Sequence, residues 1–404
     1  MELKKIHISD IGKVVTGKTP RTSVAENYGG DIPFLTPSDN LSHKSAPKTI
    51  KTLTKQGLNE VKNCLLPPQS VCVSCIGSDL GKVVMTVEPT VTNQQFNSIV
   101  PNENFNADFV YYLMSQVGKE LNYLSKTSTA VPIINKSSFS NYEVEVPSLK
   151  VQEKIASILA SLDSKIELNR RINDNLEQQA QALFKSWFVD FEPFKDGKFV
   201  DSEMGMIPEG WKVVQLGEII EISKRIINPQ KNPDKIFYHY SLPACDNGLI
   251  PEIQSGKDIM SNKIILQNNT ILFSKLNPRI KRIWFACDVL NDSICSTEFI
   301  PYRAKNERES VYIYSIINSD SFYASVLGCV NGATGSHQRF HAEDTLGLLF
   351  PYKKDIVDKY IDLVKPVLAE IHKLRIENKT LALTRDSLLP RLMSGELKFN
   401  DLNN

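Results

Sequence analysis

Residues Gly12-Lys13-Val14-Val15-Thr16-Gly17-Lys18-Thr19 satisfy the spacing G-x-x-x-x-G-K-[ST] letter for letter. In that pattern the backbone N–H groups of a loop cradle phosphate and its lysine reaches the outer phosphoryl oxygens. The chemistry requires a strand before the loop and a helix after it. Ile6–Ile11 is a short, weak strand candidate, the run after Thr19 carries no amphipathic helix pattern, and no later apolar run ends in an Asp suited to magnesium. The plainer reading is a strand followed by a polar turn. Cys72 and Cys75 lie three apart in an alternating strand, so they point to opposite faces, and no second pair completes a metal set. His337 and His341 are four apart, but Gln338-Arg339-Phe340 between them reads as loop. No G-x-S-x-G, no H-E-x-x-H, no Asn-Pro-Pro-Tyr or Asp-Pro-Pro-Tyr tetrapeptide and no G-x-G loop for S-adenosylmethionine occurs. The expectation is a chain with no catalytic residue, no metal and no cofactor of its own.

What remains is polar, Gly-containing loops that combine Lys or Arg with Ser, Thr, Asn and Gln. They are Thr16–Ser23, Lys126–Lys136, Ser223–Lys231, Asn277–Arg282 and Asn331–Phe340. The cations suit phosphate and the neutral polar groups suit base edges. Taken singly, each is an ordinary solvated loop; as a repeated set they suit one scaffold used twice with different reading residues. The candidate DNA contacts are Lys18, Thr19, Arg21, Lys126, Ser128 and Lys136 in the first half, and Arg279, Lys281, Arg282, Ser336, Gln338 and Arg339 in the second.

The chain is a duplication. Asp10–Val15 aligns with Gln215–Ile220, Leu66–Ser74 with Leu266–Ser274, Phe96 with Phe299, and Val146-Pro147 with Phe350-Pro351. The offset stays near 200 to 205 residues, about half of the 404. After each β-type half comes a long helical pattern, roughly Val151–Val189 and Lys354–Met393. In the first, Ile155, Leu159, Leu162, Ile166, Asn169, Ile172, Leu176, Ala180, Leu183 and Trp187 recur every three or four residues. The mean spacing is a coiled-coil period, and about 40 residues span about 60 Å. So long an apolar stripe needs a partner of similar length, and the second helix supplies it, antiparallel. Pro366 lies inside the second pattern, where a kink or the true helix start is expected. A shorter helix is expected over Ala107–Tyr123, and strands over Ser70–Ile76 and Lys82–Val87.

The expected fold class is α/β (α+β): two similar mixed domains separated by two long antiparallel helices forming a coiled-coil spacer, with pseudo-twofold symmetry. The expected boundaries are 1–147 for the first domain, 148–192 for the central helix, 193–210 for a linker, 211–351 for the second domain, 352–396 for the C-terminal helix and 397–404 for a frayed tail.

Bulk properties narrow the partners. No run approaches 18 apolar residues and the N-terminus lacks a signal-peptide stretch, so a cytoplasmic location is expected. Seven cysteines do not form a disulfide framework. Net charge is +1; residues 1–147 carry 14 basic and 13 acidic groups, and residues 211–351 carry 15 and 14. A self-sufficient DNA binder is usually more basic, so a partner is expected to supply part of the positive field.

Several phrases resemble the specificity subunit of type I restriction–modification systems. Val146-Pro147-Ser148-Leu149-Lys150-Val151-Gln152-Glu153-Lys154-Ile155 is similar to that family's lead-in to its central spacer helix, and Ile207-Pro208-Glu209-Gly210-Trp211 to the start of its second recognition domain. Ser387–Leu397 resembles its C-terminal signature, and Ala182–Phe188 with Phe191-Glu192-Pro193-Phe194 the first-copy counterpart. The resemblance implies two target-recognition domains, each reading one half of a split, asymmetric DNA site across a gap set by the helices. It also implies two methyltransferase (modification) subunits bringing S-adenosylmethionine, and restriction/translocase subunits with ATP and Mg as further partners. Two other readings are open: a non-catalytic coiled-coil protein scaffold, and a P-loop nucleotide-binding protein built on Gly12–Thr19.

Overall fold

The computed structural model describes residues 2–46, 48–77, 79–126, 133–329 and 338–397. The chain divides into two compact units, residues 1–166 with 380–404, and residues 167–379. The first long helix is Leu149–Phe188 and the second is Lys354–Met393. Each unit therefore takes a stretch of both.

In the first unit, Lys4–His7 pairs with Glu143–Val146, and a single helical turn, Ile8–Ile11, feeds the strand Gly12–Thr16. That strand opens an antiparallel sheet in the order Gly12–Thr16, Phe96–Pro101, Val71–Ser74, Val83–Met85. A second sheet orders Lys51–Leu53, Tyr28–Leu35, Thr90–Thr92 and Leu65–Leu66, with one parallel pair. The helix Ala107–Lys126 covers the first sheet. Alternation decides which side of the strand Val71–Ser74 faces what. Val71 and Val73 join the core under the helix, whereas Cys72 joins Leu35, Leu66 and Phe96 on the other face. Cys75 returns to the helix side, so the two cysteines occupy separate clusters.

The second unit repeats this plan. Lys212–Gln215 pairs with Leu349–Tyr352. Its first sheet runs Ile220–Ile222, Phe299–Ala304, Thr270–Ser274, Ile283–Ala286. Its second sheet again contains one parallel pair, Ile236–Tyr240 with Ser293–Ser296. The duplication extends to register: Ser74 faces Phe96 in one unit and Ser274 faces Phe299 in the other.

The apolar stripes of the long helices are used twice. Ile155, Ala156 and Leu159 share a core with Leu389, Leu392 and Met393, and with Phe109 and Tyr112 of the first unit. In the second unit Ala180, Phe184 and Phe188 pack with Tyr360, Val364 and Leu368, against Trp211 and Tyr312. Phe188 lies 5.2 Å from the Tyr360 ring centroid and 4.9 Å from that of Tyr312. Burying each such ring contributes about 2–3 kcal/mol. Within this unit the helices run antiparallel: Asn169 meets Asn378, Glu177 meets Arg375 and Ala180 meets Tyr360.

One of the two outcomes expected at Pro366 is excluded. Pro366 does not mark the helix start, because one helix runs from Lys354 through it. Proline removes the N–H that would bond the carbonyl of Asp362. Both residues are exposed, so water can take that carbonyl. The segment expected as a linker contains a hairpin, Phe199–Ser202 with Gly205–Pro208, and is pinned by aromatic contacts. Phe191 and Phe194 lie 5.4 and 5.2 Å from Trp211. Among the described residues no helix is long and apolar enough to cross a membrane.

Candidate functional site

The Gly12–Thr19 segment cannot cradle a phosphate. Its first five residues are a paired strand, and the N–H groups of Gly17 and Lys18 donate to Phe96 O at 3.1 Å and Thr92 O at 3.0 Å. No α-helix follows; the next element is the short 3-10 turn Ala25–Asn27. Gly17 is required by crowding instead, since a Cβ there would sit 2.1 Å from Asn93 O. The P-loop reading is overturned, because the phosphate-binding donors are spent inside the sheet.

The same strand end does assemble a polar surface. Lys18 is exposed, and the Thr19 hydroxyl donates to Gln94 Oε1 at 2.6 Å. Thr16 donates to Asn97 Oδ1, and Asn97 Nδ2 donates to Ile134 O at 3.0 Å, which ties in the segment leading to Lys136. Lys136 is the exposed first residue of a short helix capped by Asn135. Burial pushes the Cys64 thiol up, while the charges of both Lys18 and Lys136 oppose that shift. The two lysines, 118 residues apart in sequence, both act electrostatically on that thiol.

Arg21 is committed to a partner. Its Nε and Nη2 donate to Glu60 Oε1 at 2.9 and 2.7 Å, and its backbone N–H donates to Glu60 Oε2. The guanidinium and the backbone N–H hold the Glu60 carboxyl at about 2, well below its ordinary 4.5. Lys126 ends the helix Ala107–Lys126; its side chain and all of Ser128 lie outside the described residues.

In the second unit the corresponding strand end is framed in the same way. Cys75 N–H donates to Gln95 O at 2.8 Å in the first unit, and Lys275 N–H to Glu298 O at 2.9 Å in the second. Ile76 bridges Ile133 in one, and Leu276 bridges Arg339 in the other. On this frame Arg339 Nε and Nη2 reach the Glu298 carboxylate at 3.2 and 3.1 Å, which raises the arginine's pKa. Gln338 O accepts from Asn277 N–H at 2.9 Å. Arg279 is exposed, and its side chain makes no hydrogen bond or ion pair among the described residues. Ser336 lies outside them.

Two candidates serve the framework. Lys281 Nζ donates to Asn318 O at 2.6 Å and lies 5.6 Å from the Tyr323 ring centroid; burial lowers its pKa. Arg282 forms a fork on Asp246, with contacts of 2.6 and 2.9 Å. These contacts hold the loop between Thr270–Ser274 and Ile283–Ala286 in shape.

The residues missed from sequence include Gln94, which accepts from Thr19, and Glu298, which accepts from Arg339. Their signal was present, since Thr92–Phe96 and Cys295–Phe299 mark the repeat.

Residues 1–178 match the family model described as the type I restriction modification DNA specificity domain. The chain is 28% identical over 421 residues to the type I restriction enzyme MjaIX specificity subunit of Methanocaldococcus jannaschii, covering 99% of this chain and 94% of that one. It is 36% identical over 174 residues to the type I restriction enzyme HindI specificity subunit of Haemophilus influenzae, covering 41% and 38%. Among solved structures, the S subunit of a type I restriction-modification system from M. genitalium aligns over 97% of this chain and 96% of that one. The TM-score is 0.51 at 16% identity, a likeness of fold.

Proposed function

We propose that this chain, a specificity subunit of the type I restriction–modification kind, reads a two-part DNA site with one domain per half-site. The observation that carries this reading is the repeated frame. Two domains of one topology hold different polar side chains on matching strand ends: Lys18, Thr19, Gln94 and Lys136 on one, Arg279, Glu298, Gln338 and Arg339 on the other. Cations on such a face fix register on phosphate, and neutral polar groups discriminate base edges. Different residues on one frame give two different half-sites, hence an asymmetric target.

The chain itself performs no chemistry in this account. Two modification subunits dock on the helical spacer and adjoining domains and carry out methylation, and restriction/translocase subunits join for cleavage. The near-neutral charge fits a reader whose DNA affinity is shared with partners, because phosphate neutralisation supplies much of the binding free energy. The complex co-purified with its methyltransferase should give a DNA footprint of two protected patches separated by an unread gap. A single continuous patch, or no DNA binding in the presence of that partner, would exclude this reading.

A further inference from the structure

A third set of side chains converges in the second unit. Cys287 and Asp288 follow the strand Ile283–Ala286, and His372 lies on the second long helix, all within the second unit. The thiol, a carboxylate oxygen and an imidazole nitrogen all lie within 4.8 Å of one another. None of the three side chains makes a hydrogen bond or ion pair among the described residues. Cys287 and His372 are half-buried and Asp288 is exposed. They border a cleft of about 700 Å³ whose walls include Phe285, Val311 and Leu368.

We propose that Cys287, Asp288 and His372 form a binding site for a divalent metal of the zinc class, with a solvent molecule as fourth ligand. A sulfur, nitrogen and oxygen donor set of this kind matches zinc's preference, and hard cations such as magnesium or calcium select oxygen alone. Zinc–ligand bonds of about 2.0–2.3 Å place donors somewhat closer together than 4.8 Å. Binding one ion would therefore require the three donors to draw closer, Asp288 being the exposed one. Only the thiolate ligates zinc, so binding displaces the thiol proton to the buffer as the sulfur–metal bond forms. The bound ion would clasp the loop after Ile283–Ala286 to the long helix, fixing the second domain on its support.

The test uses the full chain, with its modification partner where solubility requires it, titrated with Co²⁺ and then Zn²⁺. One equivalent of Co²⁺ should produce a thiolate-to-cobalt charge-transfer band, and Zn²⁺ should displace it. Calorimetry should show proton release on Zn²⁺ binding. Cys287→Ser should abolish the band, and His372→Gln should weaken Zn²⁺ binding tenfold or more. Cys245→Ser, at a buried thiol outside the set, should change neither. If Cys287→Ser does not fold, Asp288→Asn decides, because that side chain is exposed and holds no structural contact; weakened binding supports the site. Absence of the band in the wild type, its survival in Cys287→Ser, or unchanged affinity in Asp288→Asn overturns it.

Discussion

Arg385 of the second long helix donates to the Asp163 carboxylate of the first at 2.6 Å, and the same carboxylate accepts the Tyr112 hydroxyl at 2.5 Å. Asp163 is only 9% exposed. One acidic side chain thus joins both long helices to the helix that covers the first domain's sheet. Removing a single partner from such a pair leaves a desolvated charge, which costs more than the pair itself contributes. Arg385→Ala should destabilise the first unit by about 3 kcal/mol, and Tyr112→Phe by about 1 kcal/mol. Denaturant unfolding checks both; an unchanged midpoint in Arg385→Ala would show that Asp163 is adequately solvated.

The Arg21–Glu60 pair gives a pH signature. Glu60 titrates at about 2 in the folded chain against an ordinary 4.5. A carboxyl depressed by folding contributes stability above its unfolded pKa, and that contribution fades as pH falls toward the folded value. The pH dependence therefore falls between about 4.5 and 2, and the contribution is fully present above that window. In Arg21→Ala the Glu60 resonance, followed by NMR, should titrate near the ordinary value. The Arg21 side chain is largely exposed, so global stability at neutral pH should hardly change.

Glu60→Gln frees the Arg21 guanidinium and removes a negative charge from the same surface. DNA affinity should rise equally for all sequences, with a steeper salt dependence, because phosphate contacts carry no base information. A fluorescence-anisotropy salt series on cognate and scrambled DNA checks this. A gain limited to cognate DNA would make Arg21 a base reader.

Arg279 and Arg339 should behave differently. The Arg279 side chain holds no protein partner among the described residues, whereas Arg339 is oriented by Glu298. Arg279→Ala should weaken binding to every sequence and lower the salt slope by about 1. Arg339→Ala should cost about 1–3 kcal/mol and relax discrimination at one half-site only. Equal loss at every site in Arg339→Ala would show a phosphate contact.

Much of the fold was legible because the duplication carries its own internal check. Ser74 with Phe96 and Ser274 with Phe299 align in sequence and face each other in the sheets. The second apolar pattern, Lys354–Met393, is one continuous helix inside the wider 352–396 expected, since its apolar spacing persists across Pro366. Side-chain commitment was not legible. Lys281 and Arg282 look like free cations in the sequence, yet Asn318 and Asp246 hold them from 37 and 36 residues away. The Cys287–His372 grouping escaped notice for the same reason, because no spacing rule links a strand end to a helix about 85 residues later.

The most direct test of the central claim is methylation-motif sequencing of cells carrying this chain with its modification subunits, compared with cells lacking the chain. The account predicts a methylated motif of two unlike parts separated by a fixed unread gap, present only when the chain is present. Arg339→Ala should blur one part and leave the other intact. A single uninterrupted motif, or methylation that persists without the chain, would contradict it.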